Sequence, residues 1–125
     1  MDNKLMQKIE NVRKILSVFG VNFQKASELL NTVSIYHKGS ITFQKVLQRI
    51  VDNSAIPYIE KMFMTNFYGY IQGFAEIKAM QYKEEDKKKT AYMVAEELIE
   101  SNIEQFKELS KMFGQNSKKE MSYIG

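Results

Sequence analysis

The sequence predicts an all-α fold, a single-domain bundle of about five helices around a hydrophobic central helix at 57–82, on three observations. One proline and six glycines in 125 residues are few, which favours long uninterrupted elements over turn-rich β architecture. Apolar residues recur at three- and four-residue spacing in one stretch after another, the period of a helix with one inward face. In Tyr58–Tyr82, 15 of 25 residues are apolar or aromatic and fall on nearly every side of a helix, the pattern of a helix enclosed by others. A chain of this length supports one core. Residues 1–114 are therefore read as one helical domain and 115–125 as a flexible tail.

Each element follows from local signals. Leu5, Ile9, Val12, Leu16 and Phe19 form the stripe of a first helix, with Asp2 or Asn3 at its start and Gly20 just past its end. Asn22 caps a short second helix carrying Phe23, Ala26, Leu29, Leu30 and Val33, which is expected to die out near Thr32–Ser34. Ser34–Ser40 then reads as a turn around Gly39. Thr42 caps a third helix, with Ile41 and Val46 at the spacing of a hydrophobic staple. Phe43, Val46, Leu47, Ile50 and Val51 point inward from it.

Pro57 ends that helix near Asn53 and opens the central one. Gly69 and Gly73 lie four apart on one face of the central helix and are expected to admit a close neighbour, so that a larger side chain there overpacks the contact. No Gly or Pro marks its end. Lys78 and Lys83 favour a C-terminus, whereas Glu84, Glu85 and Asp86 favour a new N-terminus, which places a break near Tyr82–Lys83. The competing reading is one helix from Pro57 to Phe113, aided by Glu84–Lys88 and Glu85–Lys89 pairs. The last helix, 84–113, has the clearest stripe: Tyr92, Ala95, Ile99, Ile103, Phe106, Leu109 and Phe113. Gly114 is read as its end.

Composition narrows the function. The net charge is +3, but residues 1–53 hold eight basic and four acidic side chains, so this half is the one suited to an acidic partner. The chain has no cysteine, which excludes disulfide and thiolate chemistry. The start, MDNKLMQKIE, lacks the apolar core of a signal peptide. The longest charge-free run, Met62–Ala75, contains Thr65, Asn66 and Gln72 and is too short and polar for a bilayer span. A soluble cytoplasmic protein with no membrane partner is the expectation.

Catalytic signatures are sparse. His37 is the single histidine and falls in the expected turn, where a solvated side chain without partners has no general-base role. Glu96, Glu97, Glu100 and Glu104 lie along one helix among lysines, a solvated face rather than carboxylates converging on a metal. There is no phosphate-binding glycine motif and no H-E-x-x-H. No catalytic residue, metal or cofactor is expected.

Two binding readings follow. The first is a non-enzymatic helical interaction protein: a small subunit, adaptor or inhibitor docking on a protein or nucleoprotein. The apolar surplus of the central helix then serves as a partner or homodimer interface through Met62, Met64, Tyr68 and Tyr70, residue types enriched where proteins meet. The alternative is a DNA-binding regulator. Residues 22–53 have a helix-turn-helix-like order, and Gln44, Lys45, Gln48 and Arg49, with Lys38 in the turn, are types that reach bases and phosphates. An enzyme ranks third.

Overall fold

The computed structural model describes residues 3–84 and 89–124, with the side chains of residue 8 and of residues 113–124 outside the description. Five helices follow one another: α1 (Asn3–Val18), α2 (Phe23–Lys38), α3 (Phe43–Asp52), α4 (Tyr58–Glu84) and α5 (Ala91–Ile124). They pack on one shared hydrophobic core. The fold is the all-α, single-domain bundle that the periodicity predicts.

Several boundaries rest on the expected caps. Gly20 closes α1 at φ +68°, a left-handed conformation that costs glycine least. The Asn22 side chain accepts from the Lys25 N–H at 2.8 Å, and Thr42 accepts from Lys45 N–H at 3.2 Å. The break after the central helix is present but lies beyond Tyr82–Lys83: Glu84, expected to open the last helix, is the final residue of α4, and α5 starts at Ala91, where Thr90 Oγ1 accepts from Met93 N–H. Glu85, Asp86 and Lys88, invoked on either side of that choice, lie outside the described residues. Tyr82 meets Lys89 across the connection, and Phe67 meets Phe106 farther along both helices, so α5 folds back along α4.

Four expectations are corrected. First, α2 does not end at Thr32–Ser34; it continues to Lys38, and the turn shrinks to Gly39–Thr42. Thr32 bonds back to Glu28 O at 3.1 Å, and Val33, Ser34 and His37 are all buried, so tertiary burial overrides weak local propensity. Second, the Ile41–Val46 staple does not form: Val46 is in the core while Ile41 is 81 % exposed. Val51 likewise points outward. Third, Gly114 does not end α5, which is helical to Ile124. The segment expected as a loose tail holds no proline and several good helix formers.

The fourth correction concerns the centre. Contacts with all four other helices are made by α2. Half of it is buried: eight of its 16 residues. By contrast α4 buries one stripe, Phe63, Met64, Tyr68, Ile71 and Ala75, out of 27 residues. A Cβ built on Gly69 or Gly73 meets nothing within 4 Å, so these glycines line open surface and not a helix contact within the protomer. The all-round apolar pattern of α4 has two causes, a core stripe and an apolar outer face.

Candidate functional site

A groove runs between α1, α4 and α5, with a volume of about 720 Å³. Its first wall is the stripe of α1, from Leu5 through Ile9 and Val12 to Phe19. The second is the aromatic edge of α4, Phe63, Phe67 and Tyr70, and the third is Phe106, Leu109 and Met112 of α5. The walls are held by ring contacts. Phe19 meets Phe63 edge-on at 5.7 Å, Phe63 meets Phe67 at 5.7 Å, and Phe67 meets Phe106 edge-on at 6.2 Å, geometries favoured by the ring quadrupole. From Phe67 the chain of rings continues through Tyr70 to Phe74, both exposed. The aromatic series therefore starts in the core and ends on the surface. Asn66, Asn102, Gln105 and Glu108 add polar groups to the groove. Its size and mostly apolar lining match those of binding pockets in general.

The expected interface residues separate. Met62 and Tyr70 are exposed, whereas Met64 and Tyr68 are fully buried. The last two are removed from the interface: at helical spacing they belong to the core stripe, half a turn from Met62. Ile77 and Met80, not singled out from sequence, are 59 % and 68 % exposed on the same outer side as Met62. No local signal marks them: Glu76 and Lys78 flank Ile77 on both sides, and the run from Met62 to Ala75 before them carries no charge.

The expected nucleic-acid residues stand on the outer side of α3 and the end of α2. Gln44, Lys45, Gln48 and Arg49 are all exposed, but two are engaged locally. Arg49 donates to the Gly39 carbonyl at 2.7 Å and closes the α2–α3 turn, and Gln48 donates to Asp52 at 2.8 Å. Lys38 lies 3.8 Å from Glu100 of α5. Only Gln44 and Lys45 present side chains with no such engagement in this set.

His37 is the largest departure from the sequence reading. It is fully buried, not solvated. Its ring stacks on Tyr92 at 4.1 Å and 17°. Nε2 lies 3.3 Å from the Tyr92 carbonyl and Nδ1 lies 2.6 Å from Tyr68 Oη. A carbonyl only accepts, so Nε2 carries the proton, and Nδ1 accepts from the Tyr68 hydroxyl. The Tyr92 hydroxyl in turn donates to the His37 carbonyl. Burial lowers the imidazole pKa from 6.5, against smaller raising effects of the Tyr92 carbonyl and Glu96, and burial holds the Tyr68 phenol well above its ordinary 10. Each polar atom of this cluster is satisfied within the fold, and its job is to join α2, α4 and α5. The missed signal was spacing: with α2 extended, His37 falls four residues after Val33 on the buried side.

Among the described residues, no three His, Asp or Glu side chains converge as a metal site, and no helix is long and apolar enough to cross a membrane. No protein-family model, no curated protein and no solved structure matches this chain.

Proposed function

We propose that this chain is a non-enzymatic interaction protein that receives the apolar stripe of a protein partner's amphipathic helix in the groove between α1, α4 and α5. The observation that carries the reading is the groove itself, about 720 Å³ with three helical walls lined mostly by aliphatic and aromatic side chains. Helix-in-groove docking uses such a surface, with anchors at i, i+3, i+4 and i+7 entering between two flanking helices. The exposed tail of the aromatic series, Tyr70 and Phe74, extends the same surface and supplies residue types that anchor interfaces.

Site-directed photo-crosslinking in the native host tests this. A crosslinker at Met112, exposed at the groove, is expected to capture a helical segment with an apolar stripe, and Leu5→Glu on the opposite wall is expected to abolish the capture. Crosslinks unaffected by Leu5→Glu, or capture of a small apolar ligand alone, would overturn the reading.

A second reading, a DNA-binding regulator, is favoured by one observation. The α2–α3 connection is four residues, Gly39–Thr42, within the length of a helix-turn-helix turn. Gln44 and Lys45 are then the contact residues, since Arg49 and Gln48 are tied internally. A mobility shift at low salt that weakens in Lys45→Ala and steeply with added salt supports it; no shift at low salt removes it.

A further inference from the structure

The outer face of α4 lies opposite its core stripe and next to the groove. Ile59, Met62, Tyr70, Ile77 and Met80 stand on it at 48, 37, 63, 59 and 68 % exposure, around the open Gly69 and Gly73. We propose that a second copy of this chain covers this face, the two α4 helices lying antiparallel across a two-fold axis at the level of Ile71.

Three observations select a second copy as the occupant. The middle and the two ends of the face are symmetric about position 71, although Ile59, Tyr70 and Ile77 fall opposite Lys83, Gln72 and Thr65. Gly69 and Gly73 stand two residues either side of it, Met62 and Met80 nine either side, and Asn66 and Glu76 five either side. An isologous interface places each residue against its mirror position, so Gly69 meets Gly73, Met62 meets Met80, and the Asn66 amide meets the Glu76 carboxylate. The charges agree with this register. Glu76 and Lys78 are the charged residues between Met62 and Met80, and Lys78 is turned onto the Phe74 ring. Opposite Glu76 is the Asn66 amide, which gives one N–H to the Met62 carbonyl at 2.9 Å and keeps the other for the carboxylate. The two Glu76 groups lie ten residues apart along the pair, about 15 Å at 1.5 Å per residue. The two glycines remove side chains where the axes come closest, near the short end of the 8–10 Å range for packed helices.

The area agrees as well. With roughly 150–250 Å² to a fully exposed large side chain, the five exposed fractions come to on the order of 500 Å² per copy. Two copies then bury about 1,000 Å², the lower bound for a specific interface. A dimer of modest affinity, visible as a concentration dependence, is the consequence.

The pairing is tested in the full chain, which contains no native cysteine, by two single variants at exposed positions, Met62→Cys and Met80→Cys. Under oxidation a mixture of the two is expected to form a disulfide-linked dimer, whereas either variant alone does not, because equivalent positions 62 and 80 sit 18 residues apart along the antiparallel pair, about 27 Å. Light scattering of the unmodified chain is expected to rise from 14.6 kDa towards twice that mass with concentration. Gly69→Leu is expected to return it to the monomer with unchanged circular dichroism, since the site is open within the protomer. Equal linking of each variant with itself, or a monomer at every concentration, would overturn the proposal. A monomer that still captures a partner through Met112 would overturn the pairing while leaving the groove reading in place.

Discussion

The helices α2 and α4 make an instructive pair. By composition α4 is the obvious core element, with its run of Phe, Met and Tyr, yet five of its 27 residues are buried against eight of 16 in α2. The shorter helix carries two serines and a histidine among its buried residues and still occupies the centre, because it packs against all four other helices. The longer one has neighbours on one side and an apolar surface on the other. Burial is thus decided by where an element sits in the packing, and hydrophobicity beyond what the core takes up is left for surfaces.

That contrast is tested first by truncation. Leu30→Ala, at a fully buried position of α2, is expected to lower stability by about 2–5 kcal/mol, while Ile77→Ala on α4 changes it by about 0.5 kcal/mol or less in the dilute monomer. Urea denaturation measures both, and equal losses would erase the distinction.

The buried polar cluster gives the next largest effect. His37→Leu leaves the Tyr68 hydroxyl buried without its acceptor, at a cost of about 1–3 kcal/mol. It also removes a pH dependence. The folded-state pKa of His37 lies below its ordinary 6.5, so below pH 6.5 the unfolded chain binds the proton that the native chain excludes. This contribution to stability is fully present above pH 6.5 and is lost as pH falls from there towards the folded-state value. Denaturation at pH 7 and pH 5.5 is expected to show the loss in the unmodified chain and a smaller one in His37→Leu.

Smaller still, Gly69→Ala and Gly73→Ala are expected to stabilise the dilute monomer by up to about 1 kcal/mol each, since alanine is the better helix former and its methyl enters open space. A fall in the melting temperature would mean that the outer face is covered within the protomer. The smallest effect is at Lys38, whose contact with Glu100 is exposed and 3.8 Å long. Lys38→Ala is expected to cost about 0.2–1 kcal/mol, less in high salt.

These contrasts also show what a sequence discloses. The boundaries at Gly20, Asn22, Thr42 and Pro57 were legible because a single side chain or ring fixes each locally. The outward polar side of α3 was legible because its stripe is narrow. The orientation of α4 was not, because apolar residues on both faces leave the wheel without a direction; Met62 and Met64 look alike until the core stripe is known. His37 was misplaced for a related reason. Its surroundings are supplied by Tyr68 and Tyr92, 31 and 55 residues away, and no local pattern marks a partner that distant. The groove has the same origin, since its walls come from three helices and from both ends of the chain.

The imidazole of His37 also bears on how the chain folds. One ring nitrogen is answered from α4 and the other from α5, and both partners follow α2 in the chain. An intermediate with α2 docked on only one of them leaves the other nitrogen to water, and only the finished bundle supplies both buried hydrogen bonds. A single side chain at the end of α2 thus favours all-or-none folding, in which three helices meet together or not at all.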